Sequence, residues 1–198
     1  MNWYEKLNEY FPIEEMKSKK HMDILLHEKS DVYYKDEGPN HVLMYAEFKN
    51  FIFIDYVWVS EASRGQGIGK QLIQKLQRKN ISILLEVEPI DEENKDSEKR
   101  LGFYKKLGFK HAESIDYNRK SLATNEENVL EILYWSPNEA EEDMIFKQMK
   151  KMYEDIHTYK DKELYGESYQ DVDEVLSFNE DQDTNDLLDI DSTQKSND

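Results

Sequence analysis

Cysteine is absent from this chain, so neither a disulfide framework nor a thiol nucleophile is available to it. No apolar run reaches membrane-spanning length. The opening residues, Met1-Asn-Trp-Tyr-Glu-Lys6, carry charge where a signal peptide needs its apolar core. The expectation is a cytoplasmic protein with no membrane partner. Basic charge is scarce, with 26 lysines and arginines against 43 acids and a formal net charge of −17. Nothing here neutralises a run of phosphates, which excludes nucleic acid as a partner. His21, His27, His41, His111 and His157 show no metal-ligand spacing, so no metal is expected and each histidine reads as structural or surface. A Ser–His–Asp pattern and internal repeats are lacking as well.

The acidity is unevenly spread. Residues 161–198 hold thirteen acids and two lysines, which leaves 30 acids against 24 bases in residues 1–160. The chain therefore divides into a folded part, 1–160, and an acidic C-terminal extension, 161–198. From about residue 178 the extension is dominated by Asp, Asn, Ser, Thr and Gln. Such a stretch buries too little apolar area to offset its ordering entropy, and disorder is expected. Leu187-Leu188-Asp189-Ile190 is the one apolar cluster there and reads as a chance occurrence. An acidic surface suits an amine-bearing substrate.

The most informative stretch is Phe51 to Asn80. Phe51 to Val59 contains one residue, Asp55, that is neither apolar nor aromatic, and several are β-branched, which predicts a buried strand. Ile68, Leu72 and Leu76, with Ile73 beside them, predict an amphipathic helix. Between strand and helix, Gly65, Gly67 and Gly69 fall within five residues. Glycine frees the backbone for positive φ and leaves no Cβ in the way of a ligand. The first amides of the helix then face outward at the positive end of its dipole, a site for phosphate or pyrophosphate. A Walker loop would need glycine at Arg64 and Ser or Thr at Gln71, and a dinucleotide fingerprint would need glycine at Lys70.

The pattern that fits, Arg64-x-x-Gly67-x-Gly69 between strand and helix, resembles the acyl-CoA loop of the GNAT superfamily of N-acetyltransferases. The likeness is to a bacterial type with a C-terminal extension. Two further matches support it: Leu101-Gly-Phe-Tyr104-Lys-Lys-Leu-Gly108-Phe109, and Leu85-Glu86-Val87 on the next strand. The resemblance covers about Val42 to Trp135. It implies acetyl-CoA as co-substrate, held by Val57, Val59, Arg64, Gly65, Gln66, Gly67, Ile68, Gly69, Lys70, Ser97 and Tyr104. It also implies Tyr104 as general acid near the sulfur, Glu86 as general base, and a backbone amide near Val59 for the oxyanion. Departures are visible too. Ser97 and Arg100 stand where family members often carry an asparagine and a small residue, leaving Ser97 to donate a single hydrogen bond. The Pro89–Asp96 connection is longer than usual.

The remaining elements follow from periodicity and turn composition. Helices are expected over 2–10, Ile13 to Lys29, Ser97 to Leu107 (Ser97 as N-cap, Gly108 beyond the end) and Asn138 to Thr158. Strands are expected over His41 to Phe48, Phe51 to Val59, Ile81 to Glu88, Phe109 to Tyr117 and Val129 to Trp135. The first two are joined at Lys49-Asn50 as an antiparallel hairpin. A helix crossover makes the third parallel to the second. The fold class is α/β of the α+β type: a mixed, mostly antiparallel sheet with flanking helices and one parallel pair at the loop.

The chemistry can be argued from the residues alone. An amine with a pKa of ~8 to ~10.4 must lose a proton before it attacks a thioester. Glu86 and Glu88 are two apart on a strand and share a face. Mutual repulsion and burial raise a carboxyl pKa, so either can serve as base; otherwise both face solvent or pair with lysine. Tyr104 is the acid for the departing thiolate, or else it packs between helix and sheet. With no cysteine, transfer is expected to be direct, in a ternary complex with an amine of a small molecule or a protein. The rival reading is a non-catalytic acyl-CoA sensor acting through its C-terminal extension.

Overall fold

The computed structural model describes residues 1–89, 95–121, 123–180 and 186–189. Its helices are α1 (Trp3–Tyr10), α2 (Lys19–Glu28), α3 (Ile68–Gln77), α4 (Lys95–Lys106), α5 (Glu142–Met152), α6 (Asp161–Tyr165) and α7 (Val172–Val175). Its strands are β1 (Tyr33–Gly38), β2 (His41–Glu47), β3 (Phe51–Val59), β4 (Ser82–Val87), β5 (Lys110–His111), β6 (Ile115–Lys120), β7 (Glu127–Trp135) and β8 (Leu176–Phe178). The strands form one sheet in the order β1-β2-β3-β4-β7-β6-β8, with β5 also on β7. The β3–β4 pair is parallel and the other pairs are antiparallel, the architecture expected.

Local sequence explains most boundaries. Asn2 and Glu5 close a capping box on α1, with Asn2 Oδ1 accepting from the amides of Tyr4 and Glu5 at 3.0 Å. The helix expected over Ile13 to Lys29 is interrupted. A 3-10 turn covers Ile13–Glu15, Met16 is extended, and Ser18 caps α2 by accepting from His21 N at 3.2 Å. α4 starts at Lys95, so Ser97 lies inside the helix and not at its cap. Gly108, at φ +82°, ends the turn after α4 as expected. β1 has no counterpart among the expected strands. Tyr33 is its one buried residue, and the charges of Lys35, Asp36 and Glu37 mark a sheet edge that hides no apolar face.

Alternation along β3 separates two cores. Phe51 and Phe53 meet Trp3 and Leu7 of α1, Met22 and Leu25 of α2, and Ile145, Met149 and Met152 of α5. Ile52 and Ile54 meet Leu72, Ile73 and Leu76 of α3 and Leu101 and Tyr104 of α4. α5 then widens into a π-helical turn, Tyr153–His157, which buries Ile156 and His157 together.

Two features of β3 position everything that follows. Its parallel pairing with β4 stops after Phe51↔Ser82 to Ile54↔Leu85. Its antiparallel register with β2 slips at the same point, Met44↔Tyr56 being followed by Tyr45↔Ile54. Asp55 is thus the extra residue of a β-bulge, and it shares a face with Tyr56. Asp55 is buried with Lys17, whose Nζ lies 2.6 Å from its Oδ1, and it also accepts from the Tyr33 hydroxyl.

The acidic extension contributes to this fold. β8 adds an edge strand to β6, and Leu188 is buried against the α3–α4 core, so the Leu187-Leu188 pair is more than a chance cluster. Most of the stretch expected to be disordered lies outside the described residues.

Removing one member of a buried ion pair strands the other charge, at a cost of about 3–5 kcal/mol. Lys17→Met should therefore lower unfolding stability in urea at pH 7 by about that much, and adding Asp55→Leu should restore most of it. A double variant no more stable than Lys17→Met would show that the loss has another origin.

Candidate active site

The loop between β3 and α3 rests on two glycines in the left-handed region, Gly65 at φ +79° and Gly67 at φ +82°. A Cβ at either would meet nothing within 4 Å, so backbone conformation and not crowding calls for glycine. Gly69 is needed for contact. A Cβ there would come within 3.3 Å of Phe103 Cζ, and its absence lets α3 approach α4. No side chain caps α3, and its first bonded amide is Gln71, which donates to the Gly67 carbonyl at 3.0 Å. The amides of Ile68, Gly69 and Lys70 therefore lack helical acceptors. The Arg64 guanidinium lies 5.0 Å from the Tyr10 ring centroid.

A cavity of about 520 Å³, the size of a small-molecule site, is lined both by this loop and by the diverging ends of β3 and β4. Of the expected cofactor contacts, Val57, Val59, Arg64, Gly65, Gly67, Ile68, Gly69, Lys70 and Tyr104 line it. Two do not. Gln66 turns back to donate to the Ala62 carbonyl at 3.0 Å, and Ser97 is buried within α4. Both expected bases, Glu86 and Glu88, reach the cavity wall, together with Glu15, Arg100 and Arg119.

Glu86 does not have the environment expected of a base. Its Oε1 accepts from the Tyr117 hydroxyl at 2.7 Å and from His157 Nε2 at 2.6 Å, and its Oε2 faces Arg119 at 3.3 Å. Burial alone would raise its pKa, but His157, Arg119 and the more distant Lys17 outweigh burial and hold the carboxylate well below its ordinary range. Burial, then Lys17, push the His157 ring below its ordinary value, so it is neutral and donates from Nε2. Its buried Nδ1 has no partner among the described residues. A carboxylate engaged this way is a poor proton acceptor. Glu86, expected as a base, is held here in a buried network by Arg119, Tyr117 and His157.

The repulsion expected between Glu86 and Glu88 falls on Glu15 and Glu88 instead. β4 ends at Val87, and Glu88 just beyond it approaches Glu15 from the 3-10 turn. Burial first, then the charge of Glu88, push the Glu15 carboxyl from 4.5 up to about 8. Its Oε1 is buried with no hydrogen-bond partner among the described residues. Sequence reasoning missed Glu15 because it sits in a stretch that reads as helix, far along the chain from the motifs.

The backbone around Glu15 is pinned. The Tyr56 hydroxyl donates to the Glu15 carbonyl at 2.8 Å and accepts from Lys17 N at 2.9 Å. The Tyr165 hydroxyl accepts from Ser18 N at 3.1 Å and donates to His21 Nδ1 at 3.0 Å, while His21 Nε2 donates to the Ile156 carbonyl at 3.1 Å. Burial, followed by the charge of Lys17, lowers the His21 pKa to about 3, which keeps this neutral tautomer.

Tyr104 both packs between helix and sheet and reaches the cavity. Its ring packs edge-on against Phe103 and Phe109, with centroids 5.1 and 5.2 Å away, and it also lines the cavity. Burial pushes its hydroxyl up to about 12.

Comparison with known proteins places this geometry. The sequence model of the acetyltransferase (GNAT) domain matches residues 28–111. The Bacillus subtilis (strain 168) protein named "Putative acetyltransferase YjbC" is 65% identical over 161 residues, spanning 81% of this chain and 84% of its own. A solved Bacteroides thetaiotaomicron structure, named "Putative acetyltransferase from GNAT family", shares the fold with a TM-score of 0.60. It has 21% identity over 79% of this chain and 90% of that one. No helix among the described residues is long and apolar enough to cross a membrane. The chain belongs to the GNAT family of acetyltransferases, and its acetyl donor is acetyl-CoA.

Proposed function

We propose that this acetyltransferase moves the acetyl group directly to the nitrogen of a primary amine while both substrates are bound. The observation that carries the reading is a single cavity joining the uncapped start of α3 to the Glu15–Glu88 carboxyl pair, with Tyr104 on its wall. Acetyl-CoA supplies the acetyl group as a thioester, an activated form that a neutral amine can attack. The free amides of Ile68, Gly69 and Lys70 hold its pyrophosphate, helped by Arg64, and Val57 and Val59 flank its arm. The absence of cysteine leaves no thiol for an acyl-enzyme. A cytoplasmic setting goes with this reading.

The incoming amine arrives largely protonated. The Glu15–Glu88 pair takes its proton, because a carboxyl whose pKa sits near the working pH exchanges protons efficiently. The alternative base, Glu86, keeps Arg119 and Tyr117 in place. Tyr104 has a different part from that of a full acid. A phenol held near 12 does not hand its proton to a thiolate whose conjugate acid lies near ~8.5, so it stabilises the departing sulfur by a hydrogen bond.

Three outcomes are expected. Arg64→Gln should weaken CoA binding about tenfold, near 1.4 kcal/mol, and leave pantetheine binding unchanged in calorimetric titration. Equal loss for both ligands would count against a pyrophosphate role. Tyr104→Phe should lower kcat by roughly 10- to 100-fold, the worth of one hydrogen bond to a charged atom.

The third outcome concerns pH. kcat should rise as Glu15 loses its proton near pH 8. Glu15→Gln should remove that limb and lower kcat at least about 10²-fold. Stability should move the other way. The folded state binds the Glu15 proton more tightly than the unfolded chain, so stability falls as pH rises from 4.5 to about 8. The thermal stability of Glu15→Gln should therefore gain on the unaltered protein across that window. A gain independent of pH would remove Glu15 from this role.

A further inference from the structure

Arg100, one of the two residues that depart from the family pattern, has no part in the chemistry above. It projects from α4 to the cavity wall, where it lies close enough to Glu15 and to Tyr104 for its charge to act on both. Its Nε is buried and has no partner among the described residues. Arg119 lines the same wall and is 7% exposed. Its Nη2 faces Glu86 at 3.3 Å, and its Nε is likewise buried without a partner. Two guanidinium groups therefore line the cavity with unused N–H donors, near the Glu15–Glu88 carboxyl pair. A buried donor without an acceptor is unfavourable, and in a cavity wall a ligand can supply that acceptor.

We infer that the acceptor is a free amino acid, a zwitterion whose ammonium meets Glu15 and Glu88 while its carboxylate is held by Arg100. The inference rests on the proposed transfer to nitrogen and narrows it. Charge balance favours it. Arg119 is matched by Glu86 at 3.3 Å, which leaves the guanidinium of Arg100 and the Glu15–Glu88 carboxyl pair as groups of opposite character on the same wall. A zwitterion reproduces that pattern with the signs reversed. A polyamine would leave the guanidinium donors unsatisfied beside its own positive charge. A peptide or protein N-terminus carries an amide where the carboxylate is needed. Arginine presents its donors as a planar fork that matches a carboxylate, which the small residue usual at this position cannot do. With the acetyl-CoA arm also occupying the cavity of about 520 Å³, a small acceptor fits the space left.

The test sets the twenty amino acids beside their decarboxylated amines, with spermidine and short peptides included. Acetyl-CoA turnover is measured for each, as is calorimetric binding to the CoA-loaded protein. At least one amino acid should exceed its amine tenfold or more in kcat/KM. In Arg100→Gln that ratio should fall at least tenfold, mostly through KM, and Arg100→Lys should fall between, keeping charge but losing the fork. Thermal melting confirms that each variant is folded. Amines or peptides turned over as well as amino acids would overturn the inference. So would an Arg100→Gln loss in kcat that is equal for amino acid and amine, which would make Arg100 a group acting on the reacting carbonyl. Should no acceptor turn over, the transfer reading fails, and binding decides the inference separately. Amino acids that bind the CoA-loaded protein through Arg100 would sustain it, and amino acids that do not bind would end it.

Discussion

The structure depends on a pairing that stops. β3 and β4 share backbone hydrogen bonds over Phe51↔Ser82 to Ile54↔Leu85 and then part, at the residue where β3 carries its bulge. Parting strands expose backbone and leave a wedge that apolar side chains would normally fill. Here the wedge is held open by charge. Asp55 and Lys17 neutralise each other on one side, and Glu86 and Arg119 do so on the other, with the neutral His157 donating to Glu86. Each buried charge is tolerable because its partner is in place, so the wedge keeps a defined shape. The same divergence brings the loop glycines to one end of the cavity and the carboxyl pair to the other.

Two carboxyl groups within this small space end in opposite states. Glu86 has cationic and hydroxyl donors around it and stays ionised. Glu15 has burial and the charge of Glu88, and it keeps its proton up to about pH 8. Environments that push neighbouring acids apart in pKa separate a structural role from a chemical one. An ionised Glu86 fixes Arg119 and Tyr117, and only a proton-holding Glu15 can exchange at neutral pH.

What could be read from the sequence follows from what sequence encodes locally. The β3–loop–α3 unit was legible because strand alternation, glycine spacing and helical periodicity are all contained in thirty contiguous residues. The solitary acid of an apolar strand, Asp55, was visible as an anomaly, but its partner Lys17 lay 38 residues away with no marker. Glu15 was hidden for a related reason. Its pKa comes from Glu88, and that contact exists only once the 3-10 turn folds against the end of β4. The partners of Glu86 were not legible, because a carboxylate on a strand reads alike whether it faces solvent, substrate or arginine. β1 escaped because its exposed face and edge position remove the alternation that marks a half-buried strand.

The segments after Trp135 inherit nothing from the resemblance, yet they set the geometry of the carboxyl pair. His157, on the π-helical turn, donates to Glu86, and the neighbouring Ile156 carbonyl accepts from His21. Tyr165, within the acidic extension, bonds both His21 and the amide of Ser18. Those bonds fix the start of α2 three residues from Glu15, and Tyr56 of the bulge fixes Glu15 itself from the sheet side. The turn carrying Glu15 is thereby clamped between the sheet and the extension. A residue whose pKa depends in part on close approach to Glu88 needs such a clamp, because the approach has to be held as Glu15 loses its proton and the two carboxylates come to repel. The extension therefore belongs to the structural basis of the site: its hydrogen bonds hold the turn that brings Glu15 to Glu88.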